Sequence, residues 1–321
     1  MKTIITIFIL TLLVFGVGCV SNDGVEVQDF QENQEGNRGN NNNTLAEKQP
    51  LSGSPYWHDI RFITSKEENW NDGINVIFEH GSVPDAIVLN KDVGDFKAGT
   101  LMTIFVYFEK EESEIEEIGM LYSEDNGKTW SDIIILVIDG AEGHVPVDPS
   151  IIQLEDGSLV LYYFDFSVMK NSKIKKYIFY GASSTDGLHF TVEQPIFSSE
   201  KIITDPDVIY FNDQWRMFYA TPEDDARIHV TTGTDHLNFG NEVTTGIEGI
   251  PGTIIVDGEL HLYGCGTVNG AAGITTSTST DGTTFTDTKI VKMGDCDPAP
   301  VQLNDGSYGL IVKGFMDVEN K

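Results

Sequence analysis

The chain has 321 residues, with 50 acidic against 20 basic side chains and a formal net charge of −30. A field this negative repels phosphate backbones and argues against nucleic acid or an anionic polysaccharide as a partner. A composition of 40% hydrophobic and 10% aromatic residues supports a real core, and 32 glycines without a triplet period exclude a collagen-like rod.

Residues 1–18 read as an export signal. Lys2 supplies the positive start and Ile4 to Val17 an apolar run of about fourteen residues, short for a membrane span. The run ends in Gly16-Val17-Gly18-Cys19, small residues before a single Cys. This is similar to the bacterial lipoprotein box, although Gly16 replaces the usual Leu. The resemblance implies cleavage before Cys19, acylation of Cys19, and a chain exported and lipid-anchored to the cell envelope or cell surface. The alternative is an ordinary secretory signal with an incidental Cys. Residues 19–55, with the run Asn40 to Asn43 and few apolar side chains, read as a flexible tether. Contact with the membrane is then through the lipid only. Cys265 and Cys296 remain, either as a disulfide or as two buried thiols.

From residue 56 to 321 strand-like runs alternate with Gly, Asp and Asn turns, an all-β pattern. Five similar strand starts recur: Val83-Pro84-Asp85, Asp148-Pro149-Ser150, Asp205-Pro206-Asp207, Ile250-Pro251-Gly252 and Asp297-Pro298-Ala299. Proline suits the first residue of a strand, where its missing N–H costs least. Each start leads through a turn to a second apolar strand, and the fifth unit stops there. The segment His58 to Trp70 has the character of its missing strand, so pairing of Ile60–Thr64 beside Ser307–Lys313 would close a ring. The expected fold is a five-bladed β-propeller closed by an N-terminal strand, with a β-sandwich as the alternative. A monomer is expected.

Four units share a turn. Its fullest copy, Ser123-Glu124-Asp125-Asn126-Gly127-Lys128-Thr129-Trp130, resembles the Asp-box of sialidases and other propellers. That motif marks a blade turn rather than chemistry, and sialidases grip a carboxylate with three arginines. This chain has four arginines in all, and none lies in a strand-start motif. A sialidase-like enzyme is therefore the third reading of function.

The strand starts resemble those of five-bladed glycoside hydrolases of the family 43 type, which act on arabinose, xylose and similar sugars. The resemblance covers three consecutive blades: Asp148-Pro149-Ser150-Ile151-Ile152, Asp205-Pro206-Asp207-Val208-Ile209, and Glu248-Gly249-Ile250-Pro251. It implies hydrolysis of a neutral glycan by two carboxyl groups, with Asp148 the base, Asp205 the group that tunes and orients, and Glu248 the acid. Asp85, Asp207, His144 and Asp297 are expected nearby as substrate-binding groups, with Asp85 and Asp207 pointing elsewhere or backing the others. Crowded carboxyls raise one another's pKa, which keeps an acid protonated near neutral pH. The competing reading of any single Asp before Pro is a turn cap. No cofactor is implied, although acidic groups around an axis, with His80 or His144 nearby, could hold a structural Ca²⁺. The alternative function is a non-catalytic surface propeller that binds glycan or protein.

Overall fold

The computed structural model describes residues 54–66, 70, 73–111, 116–170, 176–224 and 226–316. Cys19, the leader and nearly all of the tether lie outside them. No helix among the described residues is long and apolar enough to cross a membrane.

Two strands open the described chain, β1 (His58–Ser65) and β2 (Asn75–Glu79). Four sheets follow in sequence order, antiparallel but for one outer strand. The first holds β3 (Gly81–Val88), β4 (Leu101–Tyr107), β5 (Glu117–Ser123) and the short β6 (Ile134–Ile135). In the second, β7 (Val137–Asp139) precedes β8 (Pro146–Gln153), β9 (Leu159–Asp165), β10 (Tyr177–Ser184) and β11 (His189–Ser199), and β7 lies parallel to β11 at the outer edge. The third holds β12 (Thr204–Phe211), β13 (Gln214–Thr221), β14 (Arg227–Asp235) and β15 (Asn238–Glu248). The fourth holds β16 (Gly252–Val256), β17 (Glu259–Val268), β18 (Ala271–Ser279) and β19 (Thr286–Met293). The last two strands, β20 (Cys296–Gln302) and β21 (Tyr308–Phe315), form a sheet with β1 and β2 in the order β2-β1-β21-β20. Inner strands β3, β8, β12, β16 and β20 pack on one another in a ring. The architecture is a five-bladed propeller closed by the N-terminal strands.

Closure is in register: Ile60 faces Lys313 and Thr64 faces Gly309. The N-terminus supplies two outer strands, not one, because β2 pairs with β1. Ion pairs reinforce the seam. Arg61 holds Asp59 at 2.7 Å and Asp295, just before β20, at 3.0 Å. Asp295 also takes Lys292 of the neighbouring blade at 2.5 Å. A second seam is covalent, because Cys265 on β17 and Cys296 on β20 are disulfide-bonded.

The shared turn recurs between the third and fourth strands of a blade. Ser123 Oγ accepts the Gly127 N–H at 2.8 Å, while Asp125 Oδ1 accepts those of Lys128 and Thr129 at 3.0 and 2.9 Å. These donors, with the Thr129 and Ser123 hydroxyls, hold the Asp125 carboxyl down at about 2. Ser184/Asp186 and Ser279/Asp281 repeat the pattern. Gly127 has φ +79° and lies against Phe62, where an added Cβ would stand 2.0 Å from the ring, so the turn requires glycine there. Between blades the core is continuous: Met102, Ile104 and Met120 of the first meet Leu161, Tyr163 and Phe190 of the second.

Candidate active site

The five X–Pro steps of the inner strands meet at the propeller axis. Val83-Pro84, Asp148-Pro149, Asp205-Pro206, Ile250-Pro251 and Asp297-Pro298, with Asp85 and Asp207, enclose a cavity of about 10 Å³. That is room for about one water.

The backbone explains how the acids reach the axis. A residue before proline is normally pushed into extended backbone. Yet Val83, Asp148, Asp205 and Asp297 have φ of +49°, +51°, +54° and +50°. At each step the inner strand carries one more residue than its partner. The register shifts between Ser82 and Asp85, Val147 and Ser150, Thr204 and Asp207, and Cys296 and Ala299. These are β-bulges, which bend a strand and re-aim a side chain. Positive φ in a non-glycine residue costs on the order of 1–3 kcal/mol and concentrates at functional sites. Ahead of β16, Gly249 takes positive φ instead, and a Cβ there would stand 2.2 Å from the Cys265 backbone.

The residue two positions after X stitches neighbouring blades. Asp85 accepts the N–H of Ile151 on the next inner strand at 2.7 Å, besides that of Ala86 at 2.8 Å. Ser150 Oγ accepts the Val208 N–H at 3.4 Å, and Asp207 accepts the Thr253 hydroxyl at 2.5 Å. Asp85 and Asp207 line the cavity rather than pointing elsewhere, with oxygens engaged by the neighbouring blades. Asp205 and Asp207 flank the bulge, across which the alternation of strand faces does not hold, and each joins a different set of neighbours. Their hydrogen bonds are structural.

Asp148, Asp205 and Asp297 form the other acidic set. Asp148 Oδ2 accepts the Asp205 N–H at 3.4 Å. Burial, followed by the nearby charge of Asp205, raises Asp148 well above the usual carboxylate range. Burial and then Asp297 push Asp205 up to about 7, partly offset by Lys313. Among the stitching groups, Asp85 is pushed up to about 6 by burial, and Asp207 to about 8 by burial and then Asp85. The cluster thus stores protons near neutral pH. Asp297 is 1% exposed and pairs with the buried Lys313 ammonium at 2.6 Å.

A calcium ion does not fit this ring. Calcium takes six to eight oxygens at about 2.3–2.6 Å. Asp85, Asp148 and Asp207 each give an oxygen to a protein donor, and an ammonium already faces Asp297. His80 and His144 do not line the cavity. His80 Nδ1 lies 2.7 Å from the Tyr56 carbonyl, and His144 Nδ1 lies 2.8 Å from the Tyr163 hydroxyl.

Asp148 and Asp205 thus come together as the sequence suggested, joined by Asp297. Glu248 stands apart from the cavity, two residues before Ile250, with its side chain 49% exposed and 3.9 Å from Arg227. Tyr162, Tyr163, Tyr219 and Tyr263 are fully buried between blades and do not reach the axis. The described arginines serve other partners. Arg61 holds acids of the closing blade, and Arg216 donates to the carbonyls of Phe211 and Asp281. Sequence reading missed Lys313 and Thr253. The signal for Lys313 was a lone charge inside the apolar run Leu310-Ile311-Val312-Lys313. Thr253 carried none.

No family model matches the chain, and no curated protein matches it. Solved structures do. The α-L-arabinanase of Penicillium chrysogenum aligns with a TM-score of 0.54 at 14% identity, over 77% of this chain and 82% of its own. A family 43 α-L-arabinofuranosidase from Clostridium thermocellum gives 0.51 at 17% identity, over 70% and 80%. The family 32 β-fructofuranosidase of Bombyx mori gives 0.53 at 13% identity over 71% of this chain, which spans only 54% of that enzyme. At such identities the likeness is one of fold, the five-bladed propeller.

Proposed function

We propose that this chain is a glycoside hydrolase acting on a neutral glycan or oligosaccharide through two carboxyl groups, held at the cell envelope by a lipid on Cys19. The observation that carries the reading is the convergence of Asp148 and Asp205 at the axis on strained Asp–Pro bulges. Four blades carry the strained bulge, Val83 among them, and in three of them the strained residue is an acid at the axis, Asp148, Asp205 and Asp297. In this reading Asp148 is the base. A carboxylate with raised proton affinity is a strong base once ionised, and Asp205, the next acid along, supplies part of that rise. Glu248 is the acid, delivered from the end of β15. Asp297 and Lys313 border the pair and orient a sugar hydroxyl. The hydrogen bonding of the blade turns supports their reading as Asp-box turns, a structural element.

The assignment of Glu248 is tested by leaving groups. Glu248→Gln should slow cleavage of glycosides with poor leaving groups by several orders of magnitude, and cleavage of activated aryl glycosides far less, because only the former need a proton. Equal rates on both for the variant and the wild type would remove Glu248 from the mechanism.

One observation favours the second reading, a non-catalytic propeller that binds glycan. The axial cavity is about 10 Å³, against about 300–1,000 Å³ for pockets that enclose small-molecule ligands. A wild type that binds neutral oligosaccharides in calorimetry and cleaves none would decide for it.

A further inference from the structure

We propose that Lys313 is the resident cation of the axial ring. Its ammonium takes the place that a divalent ion would fill, and the ring admits no such ion while Lys313 is there. The proposal rests on the geometry around Lys313 and not on the hydrolase reading.

Three acids, Asp148, Asp205 and Asp297, converge on a cavity with room for about one water. Like charges so close cannot remain ionised together without compensation. Lys313 comes from β21, the strand behind β20, and is 4% exposed. Its Nζ lies 2.6 Å from Asp297 Oδ2. A buried ammonium is as costly as a buried carboxylate, so each compensates the other. Other charged groups around Lys313 are committed elsewhere. On β1, Asp59 and Arg61 pair with each other, and Arg61 reaches on to Asp295, which also takes Lys292. His58, also on β1, shares a hydrogen bond with Ser82 Oγ at 2.9 Å, and burial followed by the Lys313 charge pushes it down to about 3. It is therefore neutral near pH 7 and adds no charge. On β3, Asp85 is engaged by the backbone of Ile151 and Ala86. Apart from the Lys313 ammonium, no donor reaches either oxygen of Asp297 among the described residues, so its compensation comes from that ion pair. Cutting Lys313 back to alanine would remove the charge and open space for a cation at the same point.

The test is thermal unfolding of the full chain in EDTA and in millimolar calcium at matched ionic strength, with terbium luminescence as the direct measure of binding. The wild type should unfold at the same temperature in both and give no axial terbium signal. Lys313→Ala should unfold several degrees lower in EDTA and recover in calcium, and adding Asp297→Asn to it should abolish the recovery. Should Lys313→Ala fail to fold in EDTA, return of cooperative unfolding on adding calcium is the same positive result. Two outcomes overturn the proposal. One is a wild type stabilised by calcium whose response disappears in Asp297→Asn. The other is Lys313→Ala responding to calcium no more than the wild type. The wild-type measurement stands whether or not the variant folds.

Discussion

Asp207 offers a clean perturbation, because its carboxyl lies at the axis yet its hydrogen bonds are structural. Burial, then Asp85, pushes it up to about 8 in the folded chain, against about 3.9 when unfolded. The native state therefore binds this proton more tightly than the unfolded state. The stabilisation is fully present below about pH 4 and is lost as pH rises through about 8. A difference of about four, at about 1.36 kcal/mol each, sets an upper bound of about 5 kcal/mol. Asp85 shares the titration, so about a third of that, about 2 kcal/mol, is the expected share of Asp207. In a domain of this size that corresponds to about 4–8 °C in Tm. Asp207→Asn keeps an oxygen for the Thr253 hydroxyl and removes the titrating group. Thermal unfolding by circular dichroism should find the variant no more stable than the wild type at pH 5, and more stable by about that margin at pH 8.5. The general repulsion of a −30 chain cancels in the difference. A difference independent of pH, or one that grows towards acid, would refute the reasoning.

Replacing both Cys265 and Cys296 by Ser should cost about 3–4 kcal/mol, the chain-entropy value for a loop of this length, read as a lower denaturant midpoint. Arg61→Ala leaves the buried Asp295 with Lys292 alone and loosens the closing strand. A loss of about 3 kcal/mol is expected, with hydrogen exchange speeding first in β1 and β2. Cys19→Ser should move the protein from membrane to soluble fractions in its native host, and unchanged fractionation would defeat the lipid anchor.

The blades were legible because one residue pair repeats. Proline at five strand starts marked the inner strands, and the unpaired end of the fifth unit pointed to Ile60–Thr64 as its partner. The short outer strands were less visible. Ile134–Ile135 and Val137–Asp139 are too brief to carry a period, and the parallel pairing of β7 with β11 depends on an edge that exists only once the blade has formed. At the axis, Asp148 and Asp205 were found through Asp–Pro, since the bulge that aims them is built on that step. The placement of Asp85 and Asp207 could not be read from strand alternation, because the bulge at each X–Pro step breaks it. Lys313 lies on a second strand, paired with β20 across the Asn304-Asp305-Gly306 turn, outside the strand starts that carried the Asp–Pro signal. Its place beside Asp297 follows from the hairpin register, which sets Lys313 opposite Cys296. Glu248 is the reverse case: its short motif suggested the axis, and its side chain lies outside the cavity.

The most direct test of the axial site is turnover. Purified chain is incubated with neutral oligosaccharides and aryl glycosides of pentoses and hexoses, and newly formed reducing ends are counted for wild type and Asp148→Asn. Release by the wild type, reduced about 10²–10⁴-fold in Asp148→Asn with an unchanged circular dichroism spectrum, is the expected result. No release from any substrate, or equal release by both proteins, would contradict a glycosidase centre at Asp148.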